Sequence, residues 1–287
     1  MIVDKLFAQV AEKGHVCLGL DTDYSYLPKF FADKFNNAGE AIYNFNKEII
    51  DATYDVAACY KVQIAYYEAL GIEGLRAYSD TLKYIKKKGL LSIADIKRGD
   101  IAKTAEMYAT GHFTGDFEAD FVTLNAYMGI NDSLEPFLKY VKENNKGIFA
   151  LVRTSNKGAR DFQYIKDENQ VPLYEAVAEK IEKLAEENMG SCGFSSIGAV
   201  VGATNNEEGA DLRKTLKSAF LLIPGYGAQG GKAEDIAVYL TKGNGAVVNS
   251  SRGILLAYKK EENGEKNFSL CARNEALRMR DDIRAHI

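Results

Sequence analysis

Eight short apolar runs recur along the chain, at 15–20, 56–61, 90–95, 120–125, 147–153, 197–202, 220–224 and 245–250, and helix-like patterns fill the gaps between them. Runs of this length, apolar on both faces, suit strands buried in a parallel sheet. The helical patterns fall at 39–53, 63–87, 100–111, 130–144, 172–189, 206–217 and 232–242, with 252–260 and 272–285 after the last strand. Pro172 at a first helical turn and Gly190 past the end supply the expected start and stop signals for the fifth of these. Parallel strands need crossovers, and eight strand-helix units are the number that closes on itself. The chain is therefore expected to be an α/β protein of the (β/α)8 TIM-barrel type. No Pro/Ser-rich linker or low-complexity segment interrupts the alternation, so residues 1–287 are read as a single domain with an extended connection at about 156–196.

Composition narrows the function classes. A hydrophobic fraction of 46% is ample for one core, and a net charge of −4 leaves no basic stripe for nucleic acid or an anionic membrane. No apolar stretch approaches the ~20 residues needed to span a bilayer. Met1-Ile2-Val3-Asp4-Lys5 lacks the basic start and long apolar core of a signal peptide, so a cytoplasmic location is expected. Cys17, Cys59, Cys192 and Cys271 show no C-x-x-C spacing and read as reduced, mostly buried thiols. His15, His112 and His286 form no ligand pattern, so no metal site is expected.

In such a barrel chemistry gathers at the carboxyl ends of the strands, and polar residues recur there. Strand one ends in Asp21, strand two in Lys61, strand four in Thr123-Leu124-Asn125 and strand five in Arg153-Thr154-Ser155-Asn156. Strand three runs into Asp95-Ile96-Lys97-Arg98-Gly99-Asp100, where alternation points Asp95 and Lys97 the same way and Ile96 the other. Taken alone, that segment is equally compatible with an ion pair followed by an N-capping aspartate. Strand seven runs into Pro224-Gly225-Tyr226-Gly227-Ala228-Gln229-Gly230-Gly231, and Arg252 follows strand eight. Free backbone N-H groups of a glycine-rich loop beside a planar, permanently charged guanidinium make a phosphate site, at the place where barrels usually hold one.

These residues, in this order, resemble the orotidine 5′-phosphate decarboxylase family over essentially the whole length. The resemblance rests on Tyr60-Lys61-Val62-Gln63, Asp95-Ile96-Lys97-Arg98-Gly99-Asp100-Ile101 with Thr104, the loop from Pro224 to Gly231, and Ser251-Arg252-Gly253. It implies a catalytic array of Lys61, Asp95, Lys97 and Asp100, with Asp100 and Thr104 contributed across the interface of a homodimer. It further implies that Asp21 binds ribose hydroxyls, Ser155 contacts the pyrimidine edge, Gln229 bridges base and phosphate, and Gly230 and Arg252 hold the phosphate. Thr154 is the alternative to Ser155. The family works without metal or cofactor on a nucleotide, orotidine 5′-monophosphate. The longer connection between strands five and six matches the longer bacterial type.

The implied chemistry is physically coherent. Loss of CO2 from C6 leaves an electron pair in an sp2 orbital that no π system delocalises, so the protein must supply electrostatic stabilisation. Lys97 would stabilise that carbanion and donate the proton that yields UMP, while Asp95 would repel the scissile carboxylate. Two rivals share parts of the pattern. Sugar-phosphate synthases and decarboxylases of the same superfamily resemble the D-x-K-x-x-D strand but use magnesium with an acidic ligand at the end of strand two, where Lys61 would repel a cation. A non-catalytic nucleotide-binding barrel would have no need of all four charged residues.

Overall fold

The computed structural model describes residues 1–203, 206–226 and 233–287. Eight parallel strands close a barrel in chain order: β1 (Val16–Gly19), β2 (Cys59–Gln63), β3 (Ser92–Arg98), β4 (Phe121–Leu124), β5 (Gly147–Arg153), β6 (Ser195–Val201), β7 (Ala219–Pro224) and β8 (Ala246–Ser250). The seam pairs β8 with β1, Asn249 opposite Cys17. Helix α1 (Ile2–Lys13) precedes the barrel, and the outer layer comprises α2 (Lys29–Ala32), α3 (Ala38–Thr53), α4 (Ala65–Glu68), α5 (Gly71–Lys87), α6 (Ala102–Phe113), α7 (Glu135–Asn144), α8 (Leu173–Glu186), α9 (Asn206–Thr215), α10 (Ala233–Ala237), α11 (Arg252–Leu255) and α12 (Phe268–Arg284).

Period-two alternation sorts the strand residues into two cores. Leu18, Tyr60, Val62, Ala94, Ile96, Val122 and Ile148 point outward and pack beneath the helices. Cys17, Cys59, Ile93, Phe121, Phe149, Phe220 and Val247 point into the barrel and fill its lower part. The same parity continued upward puts Lys61, Asp95, Lys97, Thr123 and Asn249 on the inner face, so apolar layers give way to a charged mouth within one or two residues. Below, α1 seats Val3, Leu6 and Val10 in the inner cluster and closes the floor.

Several expected elements shift. The second strand occupies 59–63 rather than 56–61, because Val56 and Ala57 continue the turn that leaves α3 by bonding back to Thr53 O. The pattern at 63–87 splits into α4 and α5 at Gly71, whose φ of 64° no continuous right-handed helix accepts. The pattern expected at 100–111 begins at Ala102 with Ile101 as its N-cap, so Asp100 is not a capping residue; among the described residues its carboxylate accepts the N-H of Ile101, at 2.8 Å. The pattern at 130–144 is helical only from Glu135, and that at 232–242 is helical over Ala233–Ala237. Pro172 is the N-cap of α8, which ends at Glu186, short of Gly190. The four cysteines are free, with Cys17, Cys59 and Cys271 buried. No helix among the described residues is long and apolar enough to cross a membrane.

Candidate active site

A cavity of about 530 Å³ opens at the carboxyl ends of the strands, and Asp21, Lys61, Asp95, Lys97, Thr154, Ser155 and Arg252 all line it. At its centre Asp95, 5% exposed, has both carboxylate oxygens saturated. Oδ2 accepts from Lys61 Nζ at 2.9 Å and Gln63 Nε2 at 3.0 Å; Oδ1 accepts from Lys97 Nζ at 2.5 Å and Thr123 Oγ1 at 2.8 Å. Lys61 reaches in addition to Asp21 Oδ1 at 2.8 Å, and Asp21 Oδ2 accepts from Ser251 Oγ at 2.8 Å. Ser251, Asp21, Lys61, Asp95 and Lys97 thus form one chain of charge-assisted hydrogen bonds across the mouth.

Burial on its own would raise the Asp95 carboxyl, but the Lys61 and Lys97 ammonium groups override it and hold the group well below the ordinary carboxylate range. Burial likewise works against the charge on Lys61, and Asp21 and Asp95 reverse that effect and raise it above the ordinary lysine value. Asp95 and Lys61 are therefore locked as an ion pair at every physiological pH. Lys97 differs from Lys61: its side chain is 46% exposed, and it faces the cavity with Asp95 as its one carboxylate partner among the described residues.

The backbone that carries Lys97 is unusual. Pairing of β3 with β4 shifts register between Ala94 and Arg98, and Lys97 sits in that bulge with φ of 46°. Its N-H donates to Thr123 Oγ1 at 3.0 Å, so one hydroxyl anchors the backbone of Lys97 and donates to the carboxylate its ammonium contacts. At the seam, Gly19 leaves room for the Asp21 contacts: a Cβ there would lie 1.9 Å from Ser251 Oγ.

Of the remaining expected site residues, Ser155 and Thr154 both line the cavity, but Thr154 is engaged within its own loop. Gln163 Nε2 donates to Thr154 Oγ1 at 2.7 Å and Gln163 Oε1 accepts the Thr154 N-H at 2.9 Å, so the extended connection folds back on its start. Arg252 is exposed at the first turn of α11 with no ion pair among the described residues. Asp100 and Thr104 lie outside this cavity, Thr104 exposed on α6. Gln229 and Gly230 fall outside the described residues. Among the described residues no three His, Cys, Asp or Glu side chains converge as a metal site would require.

Gln63, Thr123 and Ser251 carry contacts that sequence reading did not assign to them, and Tyr26 and Tyr66 join the lining. Strand parity was the available signal for the first two, since Gln63 follows Lys61 and Thr123 follows Phe121 on the inner face.

Comparison with known proteins agrees with this geometry. The model of the family described as "Orotidine 5'-phosphate decarboxylase / HUMPS family" matches residues 14–267. The chain is 64% identical over 283 residues to the orotidine 5'-phosphate decarboxylase of Clostridium kluyveri, covering 99% of this chain and 97% of that protein. It is 62% identical over 284 residues to the enzyme of the same name from Clostridium acetobutylicum, covering 99% of each. Among solved structures, the OMP decarboxylase of Leishmania donovani superposes with a TM-score of 0.78 at 31% identity, over 99% of this chain and 98% of that one.

Proposed function

Because the chain belongs to the orotidine 5'-phosphate decarboxylase / HUMPS family, we propose that its barrel mouth converts orotidine 5′-monophosphate to UMP and CO2, a step of pyrimidine biosynthesis, without metal or cofactor and with Lys97 as proton donor. The observation that carries this reading is the placement of one ionised carboxylate, Asp95, between a buried lysine and a half-exposed one. A site that repels a substrate carboxylate and offers a cation beside it destabilises the reactant and favours the carbanion left when the C6–C bond breaks.

The step balances without a further reagent. The bonding pair stays on C6 as CO2 departs; Lys97 Nζ then delivers a proton to that pair, and the neutral amine is reprotonated from solvent. Lys61, held charged by Asp21 and Asp95, keeps Asp95 ionised throughout. In this reading Asp21 binds ribose hydroxyls, Ser155 meets the pyrimidine edge, and Arg252 with Gln229 and Gly230 grips the phosphate. Thr154, which also lines the cavity, is the alternative to Ser155.

Lys61 also separates this reaction from the magnesium-dependent ones of related barrels, since a buried ammonium stands where a cation-binding carboxylate would be needed. The active unit is read as a homodimer in which Asp100 and Thr104 serve the neighbour's cavity. Ile101, Met107, Tyr127 and Met128, exposed by 50%, 53%, 80% and 54%, provide apolar surface on and near α6 to support it. The protein is read as cytoplasmic and as one barrel unit.

Incubation of the purified chain with orotidine 5′-monophosphate, followed by absorbance and by detection of UMP, tests the reading. Equal turnover with and without a chelator is expected. No UMP, or a rate abolished by chelator and restored by magnesium, would overturn it.

A further inference from the structure

One hydroxyl on β4 serves two residues of the proposed catalytic array at once. Thr123 is 1% exposed and stands on the inner face of β4, opposite Phe149 of β5. Its Oγ1 lies 2.8 Å from Asp95 Oδ1 and 3.0 Å from the Lys97 backbone nitrogen. A hydroxyl carries one hydrogen, and an ionised carboxylate can only accept, so that hydrogen is committed to Asp95 and an oxygen lone pair is left for the Lys97 N-H. The second bond falls where the ladder is interrupted. Ala94 lies opposite Val122 and Arg98 opposite Leu124, so four residue steps on β3 answer two on β4, and the Thr123 oxygen takes the place of a ladder carbonyl for Lys97.

We infer that Thr123 is a positioning residue for proton delivery: by anchoring the Lys97 N-H inside the bulge, it aims the Lys97 ammonium at the C6 carbanion. The inference rests on the reading of Lys97 as proton donor and extends it to a residue that takes no part in the proton transfer itself. Asp95 keeps Lys61, Gln63 and Lys97 as donors when the hydroxyl is removed, so its carboxylate stays in place. The lysine backbone depends on the hydroxyl more heavily. Its φ of 46° is a conformation that the surroundings must impose, and a rotation out of it is carried along a four-carbon side chain to Nζ. A general acid works only within hydrogen-bond reach of the atom it protonates, so an error of about one ångström at Nζ separates a proton donor from a counter-ion that merely neutralises Asp95.

The test compares Thr123→Val, Thr123→Ser and Lys97→Ala in the intact protein. It reads kcat for orotidine 5′-monophosphate, the dissociation constant for UMP by calorimetry, and the exchange of the C6 hydrogen of UMP in D2O. In that exchange the neutral Lys97 amine takes the C6 proton, leaving the electron pair on C6, and returns a deuteron. Thr123→Val removes the hydroxyl at nearly constant shape and should lower kcat and exchange about a hundredfold each, with UMP affinity held within about threefold. Thr123→Ser, which keeps the hydroxyl, should retain both rates. A residue that only supports the fold would not separate the rates from the affinity in this way. If Lys97→Ala abolishes turnover and exchange while Thr123→Val binds UMP and keeps both rates within about threefold of wild type, the positioning role is wrong and the proton-donor reading stands. Loss of UMP affinity in proportion to kcat would also refute the positioning role, because it assigns Thr123 to ligand binding. Should Thr123→Val fail to fold, Thr123→Ala, which removes the hydroxyl without adding bulk, is judged by the same two criteria. If Lys97→Ala keeps turnover and exchange within about tenfold of wild type, the proton-donor reading fails and the inference falls with it.

Discussion

Lys97 Nζ lies 2.5 Å from Asp95 Oδ1, a contact between residues two apart on one strand whose backbone is left-handed at the lysine, with φ of 46°. A non-glycine residue in that region costs about 1–3 kcal/mol and persists only where its surroundings over-determine it. Here the bulge against β4, the Thr123 hydroxyl and the ion pair do so together. The lysine is held out of ordinary strand geometry, half-exposed toward the cavity, while Lys61 on the neighbouring strand is buried in a regular conformation.

If Lys97 is the proton donor, Lys97→Ala should fold with an unchanged circular dichroism spectrum and lose turnover by several powers of ten, at about 1.4 kcal/mol for each. Steady-state rates within about tenfold of wild type would remove Lys97 from that role.

Subunit exchange tests the placement of Asp100. Lys97→Ala and Asp100→Ala homodimers should each be inactive, yet a mixed dimer has one doubly damaged site and one intact site, so mixing should restore activity. Exchange verified by mass without recovery of activity would mean that Asp100 does not serve the neighbouring cavity.

Arg252 is distant in role from C6 and can aid the reaction only through binding energy that orders the site around the transition state. Arg252→Ala should strongly lower kcat/KM for orotidine 5′-monophosphate and scarcely alter the slow reaction of orotidine, which lacks the phosphate. Equal proportional losses with both substrates would assign Arg252 to the fold or the base pocket.

Acid should weaken the fold well before it reaches the Asp95 cluster. Burial lowers His15 and His112 to about 4 each, with Arg284 adding repulsion at the first and Arg98 at the second. An unfolded histidine titrates near 6.5, so between about pH 6.5 and 4 the unfolded chain binds protons that the native one refuses. Stability is therefore full above pH 6.5 and falls on acidification, by on the order of 3 kcal/mol per histidine across the window. Asp95, with its carboxyl held low, adds its own loss only as pH falls below the unfolded carboxylate value of about 3.9. Urea unfolding at pH 7, 6 and 5 should show the decline; a flat profile would contradict it.

The barrel was legible because buried parallel strands leave a strong local trace: all eight runs became strands within a few residues. The charged mouth was legible for a related reason, since Lys61 and Asp95 stand on the inner face by parity, and Lys97 joins them from the bulge that follows. What escaped depends on partners remote in the chain. Thr123 meets Asp95 across 28 residues, and Asn46 meets Thr81 across 35; neither spacing leaves a local pattern. The helix at Ile2–Lys13 did carry a periodic signal in Val3, Leu6 and Val10, but its role as a floor follows from barrel closure rather than from its own residues. The bulge at Lys97 is likewise set by pairing of β3 with β4, and no Gly or Pro at that position announces it.

The bond from Ser251 Oγ to Asp21 Oδ2 spans 230 residues and crosses the seam where the last strand meets the first. During synthesis that seam becomes available only after the first seven strands, with α11 and α12 still to follow. A chain ending at β7 would carry Lys61, Asp95 and Lys97, but the β1 and β7 edges that β8 covers would have no partner, and it would lack Ser251 and Arg252. Such an intermediate is exposed to edge-to-edge association and has half a nucleotide pocket. Barrel closure and completion of the Asp21 contacts thus both depend on residues from Ala246 onward, and a chain cut short of β8 should be inactive however well its first seven strands form.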